Sequence, residues 1–293
     1  MDSAAFLKLL QQPKKTPTQP IYILVDGSYF CFHRYHSLLS WLKNTKVENT
    51  EQKEEIDPMF LDKFRKTFVE TLHQIRNNLR INKTADITMM VGKDCKRDDI
   101  WRMQHFPQYK QNRKTDRQKH IGDIFKLVWN EGLFQKGGCV KTLYHPSLEA
   151  DDCIAITVKK ILIEKPSAFV YIITSDKDYL QLAGSRVAVY DLSFRNISES
   201  KTSHGCSETD LFCKIVMGDS SDNIPSVLKS CGPAMAMKCY QDREFFHARI
   251  QKEQAEEKYK LNSLLIDFKN IPVPLVEEFL LTFEEEEKRV PYL

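Results

Sequence analysis

Nine acidic side chains sit just after, or just at the opening of, segments of regular apolar pattern: Asp26, Asp94, Glu149, Asp151, Asp152, Asp176, Asp178, Asp219 and Asp222. Singly, each has an ordinary explanation. Asp26-Gly27 reads as a turn, and Glu149, Asp151 and Asp152 suit the positive end of a helix. Gathered in one place, however, such carboxylates repel one another, and removal from water raises their pKa values unless cations neutralise them. A ligand set of oxygen alone, with no His or Cys partner, favours magnesium or manganese over zinc or copper. Two such ions about 3.5–4 Å apart can activate a water and stabilise the attacking and leaving oxygens of a phosphoryl displacement. That chemistry needs no protein nucleophile. The chain offers no Ser-His-Asp arrangement, no GxxxxGK[ST] and no GxGxxG after its first apolar run. A covalent route through Asp26 would want a DxD pair, and position 28 is Ser28.

A second concentration of chemistry follows Asp94. Between positions 93 and 120 the chain carries Lys93, Lys96, Arg97, Arg102, Lys110, Arg113, Lys114, Arg117 and Lys119, interleaved with Trp101, Phe106 and Tyr109. Cations among aromatics suit a nucleic-acid strand, whose phosphates need neutralising and whose bases stack. The plain alternative is a solvated helical face with Trp101 in the core; the proximity of Asp94 favours the nucleic acid. Lys110 and Arg113, three residues apart, would share a helical face and both reach a scissile phosphate.

Positioning these groups requires a sheet. A continuous apolar run at 21–25 reads as a buried parallel strand, and 87–91, 140–144 and 169–174, with another at 187–190, read as further strands of the same kind. Between them, residues 60–79, 117–133 and 149–163 repeat apolar side chains every three or four positions, as helices do. Alternation of this kind predicts a doubly wound α/β sheet, whose ligands bind beyond the carboxyl ends of the strands. After about residue 193 the pattern becomes helical, at 208–217, 233–240 and 243–265, with Gly232-Pro233 marking a turn and a helix start. The Glu run at 284–287, followed by Lys288 and Arg289, reads as a solvated terminus.

Composition adds little beyond class. The chain has 293 residues, 42% hydrophobic and 28% charged, and a net charge of +3, so local rather than total charge must select the partner. No apolar stretch approaches the roughly 20 residues of a membrane span. Pro13, Lys14, Lys15, Pro17 and Pro20 interrupt any signal-peptide core, and a soluble intracellular protein with no membrane partner is expected. Eight cysteines without a CxxC pair are read as reduced thiols rather than a zinc site or a disulfide framework.

Five ordered motifs resemble the bacteriophage and bacterial 5′ nucleases, including the 5′-nuclease domain of bacterial DNA polymerase I, and more distantly the flap endonucleases. They are VDGSYF at 25–30, IWRMQHFPQYKQNR at 100–113, LEADD at 148–152, TSDKDYLQL at 174–182 and GDSSDNIP at 218–225. The resemblance implies an α/β fold: a PIN-like parallel-sheet nuclease core at 21–200 with a helical arch at about 93–135. It further implies a C-terminal helix-two-turn-helix subdomain at 206–270 that grips duplex DNA, flanked by an N-terminal extension at 1–20 and a tail at 271–293. Carried over by position, Asp26, Asp94, Glu149 and Asp151 would surround a first metal. Asp152, Asp176, Asp178 and Asp222 would serve a second, with Asp219 nearby. Lys110 and Arg113 match the arch residues that orient the phosphate, while Arg102, Tyr109, Lys114, Lys229, Gly232 and Lys238 would contact DNA. Tyr29 would stack on a base or belong to the core.

The implied activity is two-metal, magnesium- or manganese-dependent cleavage of flap, nicked, branched or RNA-primed DNA by a monomer. The alternatives are a DNA-binding member with weak turnover and an RNA-directed 5′-3′ exonuclease. Two departures stand out. Residues 91–102 are one residue longer than the usual phage pattern, and the family's GxxGxGPK loop, which offers carbonyls to a potassium ion, here reads SVLKSCGPA at 226–234. The extension before the first strand, and the lack of a QxxLxxFF motif near the end, point to the phage and bacterial branch. A phage or large DNA virus protein, acting in the host cell or virion, is expected.

Overall fold

The computed structural model describes residues 19–44, 57–113, 120–200 and 203–289. The first apolar run forms β1 (Ile21–Asp26), whose four central residues are buried on both faces of the sheet. It leads directly into α1 (Gly27–Asn44). Gly27 is needed at that junction because a Cβ there would stand 2.4 Å from the Gly92 carbonyl oxygen. Then come α2 (Pro58–Asn78), capped by the Asp57 carboxylate on the Met59 amide, and β2 (Ile87–Gly92). The short helix α3 (Arg102–His105), α4 (Ile121–Asn130), the single turn α5 (Leu133–Lys136) and β3 (Lys141–Leu143) complete one half of the sheet. The other half is α6 (Ala150–Glu164), β4 (Phe169–Ile173) and β5 (Val187–Tyr190).

All five strands are parallel, in the order β3-β2-β1-β4-β5. The chain thus winds outward from β1 in both directions, and the strand order reverses there, which opens a crevice at the carboxyl end of β1. Alternation along β1 divides the core. Tyr22 and Leu24 join Met90, Leu143, Ile154 and Ile172 on one face, while Ile23 and Val25 join Phe30, Phe64, Phe68 and Phe134 on the other.

The remaining chain is helical: α7 (Ser207–Met217), α8 (Pro233–Gln241), α9 (Arg243–Glu253), α10 (Glu256–Ile266) and α11 (Val273–Arg289). Two expectations are corrected here. The single helix expected over 243–265 is two, because Gln254 adopts a left-handed conformation (φ 50°, ψ 47°) that ends α9. Residues 271–293, expected as a tail, instead supply α11, which buries Phe279 and Phe283 against the sheet face that also carries α6. Three contacts fix α11 in place: Lys141 Nζ donates to the Phe283 carbonyl, Lys160 pairs with Glu284 at 3.2 Å, and His145 meets Glu278 at 3.2 Å. The helices α7–α10 are tied to the sheet layer by hydrogen bonds from Gln181 to the Ile266 carbonyl (3.0 Å) and from Lys159 to the Phe268 carbonyl (2.9 Å). Among the described residues no helix is long and apolar enough to cross a membrane, and all eight cysteines are free.

Candidate active site

Asp26, the last residue of β1, lies at the crevice. The Thr174 hydroxyl and the Tyr29 amide each donate to its carboxylate at 3.0 Å. Burial, then the charges of Asp94 and Asp176, push its pKa up to about 7. Asp94 follows β2 as expected and is held across the crevice, accepting from the Ser28 hydroxyl and, at 2.8 Å, from the amide of Ala150 at the start of α6. The longer segment after β2 therefore still delivers its acid to the crevice.

The first turn of α6 brings Glu149, Asp151 and Asp152 together, with ligand oxygens within 4.8 Å of one another. Glu149 and Asp152 form a capping box. Burial, with Asp152 and Glu149 alongside, raises the Asp151 pKa well above the ordinary carboxylate range. Asp152 is wholly buried, and both its oxygens are taken: Arg102 donates to them at 2.7 Å twice, and the Trp101 indole at 3.0 Å. The expected placing of Asp152 with Asp178 and Asp222 is thus corrected, since it belongs to the Glu149 group and there engages Arg102. Arg102 is itself corrected. Expected to meet DNA, it is only 2% exposed and donates to Glu149 (3.0 Å) and to the Leu265 carbonyl (2.7 Å) as well. Tyr109, also expected to contact DNA, is 2% exposed, its hydroxyl lying between Glu149 (2.9 Å) and Asp222 (3.0 Å) with one proton to donate.

Opposite, Asp178, Asp219 and Asp222 form a second group within the same 4.8 Å limit. Asp176 caps the short 3-10 turn Lys177–Leu182, accepting from the Asp178 amide at 2.9 Å, and its pKa is raised chiefly by burial. Asp219 and Asp222 are presented by a tight loop after α7, closed by reciprocal amide-to-carbonyl bonds between Asp219 and Ile224 (2.9 and 2.8 Å). Gly218 turns into that loop at φ 73°, where a Cβ would lie 2.5 Å from the Ile224 and Pro225 carbonyl oxygens. Lys214 pairs with Asp178 and, at 2.8 Å, with Asp219. Burial would raise Asp219, but Lys214 and the Ser221 donors draw it down to about 2.

Lys110 connects the two groups. Its ammonium pairs with Glu149 and lies 3.6 Å from Asp222, while Arg113 pairs with Asp222 from a half-exposed position. Burial alone would lower the Lys110 pKa; Glu149 and Asp222 instead hold it above its ordinary value, so the side chain stays charged. The segment carrying them is not the helix expected from their spacing. Residues 107–112 are turns, Lys110 has φ 54°, and the backbone is pinned to the acidic loop by the Lys110 amide on the Asp222 carbonyl (2.9 Å) and by Asn223 on the Gln108 carbonyl (2.8 Å). Arg97 braces it further, donating to the Lys110 carbonyl and, at 3.3 Å, to that of Arg113. Lys114 lies outside the described residues.

Among the described residues, Arg102, Lys110, Arg113 and Lys214 pair with five of the nine carboxylates, Glu149, Asp152, Asp178, Asp219 and Asp222. Burial first, and then the charge of neighbouring carboxylates, raise Asp26, Asp151 and Asp176. The donor set fits hard divalent cations. Burial, then Glu149 and Asp94, push the nearby Cys95 thiol up to about 12, so it brings no thiolate to the site. Lys214, Ser28 and Thr174 are contributors that the sequence reading missed, and Arg97, read there as one of the cations for nucleic acid, instead braces the Lys110 turn. Lys214 had one signal, its place a helical turn before Gly218-Asp219.

Away from the acids, Lys229, Gly232 and Lys238 are exposed around the start of α8, where Gly232 precedes Pro233 and leaves the helix N-terminus open. Tyr29 packs at the edge of the core and accepts, at its hydroxyl, the Leu192 amide at 3.0 Å.

Comparison with known proteins adds the following. Residues 21–210 match the family model described as 5′-3′ exonuclease, N-terminal resolvase-like domain. Ribonuclease H of Enterobacteria phage T4 is 30% identical over 228 residues, which span 69% of this chain and 71% of that protein. A 5′-3′ exonuclease of Buchnera aphidicola subsp. Schizaphis graminum is 28% identical over 221 residues, 73% of this chain and 67% of that one. In fold, the chain is similar to the flap endonuclease of bacteriophage T5 in a pseudo-enzyme-product complex with DNA and metal ions. There the TM-score is 0.62 at 18% identity, covering 92% of this chain and 100% of the other. The T5 5′-exonuclease with divalent zinc bound gives a TM-score of 0.61 at 20% identity, over 90% and 98% of the two chains.

Proposed function

The chain belongs to the 5′-3′ exonuclease family defined by the N-terminal resolvase-like domain, and from that premise we propose that it hydrolyses DNA phosphodiesters at 5′ ends and 5′ flaps with two divalent cations, magnesium or manganese. The observation that carries this reading is the meeting of two carboxylate groups, Glu149-Asp151-Asp152 and Asp178-Asp219-Asp222, bridged by Lys110, at the crevice where Asp26, Asp94 and Asp176 also lie. Asp26, Asp94, Glu149 and Asp151 would hold one ion, and Asp176, Asp178, Asp219 and Asp222 the other. Bound there, the ions supply positive charge to the phosphate and acidify water.

The protein's own groups do the rest. Lys110 and Arg113 sit on acids that the cations would neutralise, which frees both side chains to turn toward a phosphate and stabilise its developing charge. Asp152 and Arg102 form a buried brace that fixes the first turn of α6 and so the aim of Glu149 and Asp151. Lys229, Lys238 and the open N-terminus of α8 would meet the backbone of a duplex, contacts that set register without reading sequence.

Titration with magnesium on a 5′-flap substrate tests the reading, with cleavage expected to vanish in excess EDTA and in Asp178→Asn while flap binding persists in that variant. Cleavage that survives EDTA would refute it. The similarity to a protein named ribonuclease H supports a second substrate, RNA at the 5′ end of an RNA–DNA duplex, which matched RNA and DNA 5′ ends would compare directly.

A further inference from the structure

The loop between α7 and α8 departs from a cation-binding design in a way the sequence alone did not explain. A monovalent ion held by a loop of this kind needs backbone carbonyls with free lone pairs and no competing cation beside them. Here the Ser226 hydroxyl donates to the Leu228 carbonyl at 2.7 Å, and Nη2 of Arg249 donates to the Lys229 carbonyl at 3.0 Å. The Lys229 amide in turn donates to Glu253 Oε2 at 2.7 Å, and Arg249 Nε donates to Glu253 Oε1 at 2.9 Å. Arg249 and Glu253, one turn apart on α9, thereby grip both backbone groups of Lys229, immediately before Ser230 takes its left-handed conformation at φ 51°. Both side chains are partly buried, and each is held by the Lys229 backbone as well as by the other, so the pair is anchored at more than one point. An ion seated at the Lys229 carbonyl would meet the guanidinium head-on, a like-charge contact at hydrogen-bonding range. The residues therefore do not fit potassium at this loop.

We infer that the Arg249–Glu253 pair is a built-in replacement for a monovalent cation, shaping the 226–232 loop so that Lys229, Gly232 and the start of α8 engage duplex phosphates without potassium. The inference rests on the DNA-binding reading above, and its two parts are separable by experiment. Binding of the full chain to a nicked duplex in EDTA is measured in potassium, sodium and tetramethylammonium chloride at one concentration. Dissociation constants within about twofold of one another are expected, since only the general salt effect remains. A potassium-specific tightening of about fivefold or more would overturn the inference.

In a second arm, Arg249→Ala is expected to weaken duplex binding about tenfold in tetramethylammonium, with potassium recovering part of the loss, single-strand binding unchanged and Arg249→Lys intermediate. Unchanged duplex binding by Arg249→Ala would also overturn it. Should that variant fail to fold by circular dichroism, Glu253→Gln and the wild-type salt comparison decide. Absence of DNA binding in every salt would sink the nuclease reading; the loop is then judged by DNA-free thermal melting, where a potassium-specific rise in the wild type counts against the pair and equal melting in potassium and tetramethylammonium counts for it.

Discussion

Replacing Asp26 by Asn should make the metal-free protein more stable while abolishing its catalysis. The carboxyl of Asp26 is moved from 3.8 to about 7, first by burial and then by Asp94 and Asp176. A displacement of that size corresponds to about 4 kcal/mol of penalty for the ionised form. Its sign follows from proton counts. Between pH 4 and 7 the folded state holds a proton that the unfolded state has released, so stability falls as pH rises through this window and the full penalty is present above it. Asp151 and Asp176, also raised, act in the same direction, whereas Asp219, lowered to about 2, loses its stabilisation only in strong acid.

Asn keeps the shape and can still accept from Tyr29 and donate to the Thr174 hydroxyl, so the substitution removes the charge with little else. Since water still reaches the crevice, about half the penalty, about 2 kcal/mol, should register, or roughly 4 °C in melting temperature for a chain of this size. Melting of both proteins in EDTA is the assay. Asp26→Asn should melt above the wild type at pH 8, with the gap shrinking as pH drops below 7. Adding magnesium should reverse the order, because an ion bound only by the folded wild type stabilises it by mass action. Equal melting at pH 8 in EDTA, or a gap that widens toward acid, would refute the reasoning.

Other outcomes are expected. Arg102→Met leaves Asp152 buried without its cation, Glu149 keeping Lys110 and Tyr109, and should cost about 3–5 kcal/mol, visible in urea unfolding, while adding Asp152→Leu should recover most of the loss. Lys110→Met should lower single-turnover cleavage by about 10²–10³ with flap affinity changed far less, as for loss of one charge-stabilising donor. Phe283→Ala should cost about 3–5 kcal/mol if α11 is part of the core, and nothing measurable if the segment were a solvated tail.

Much of this architecture was legible because the central strand β1 is buried on both faces. The run at 21–25 is apolar throughout and that at 169–174 nearly so, and an acid set just after each run could only fall on one edge of a parallel sheet. What the sequence concealed has physical causes. Gln254 breaks the long helix through a left-handed turn that Gly usually marks, and no Gly is there. The Glu run at 284–287 reads as solvent-facing, yet Phe279 and Phe283 repeat at one-turn spacing just before and within reach of it. Arg102 and Tyr109 have the composition of a DNA-contacting stretch; whether a cation faces phosphate or a buried carboxylate depends on a partner 47 or more residues away in sequence, as with Glu149 and Asp152. The turns at 107–112 escaped for a similar reason, since their geometry is set by hydrogen bonds to the loop at 218–223 rather than by local propensity.

The docking of α11 has a consequence for biosynthesis. Ribosomes deliver a chain from its amino end, and all five strands have emerged before any of α7–α11. Until Phe279 and Phe283 arrive, the apolar surface they pack against, beside Lys141 and Lys160, stands open to water. At roughly 5–20 residues per second, that interval lasts several seconds. During it the nascent chain offers a sticky surface to chaperones, and the sheet layer is sealed only after α11 has left the exit tunnel.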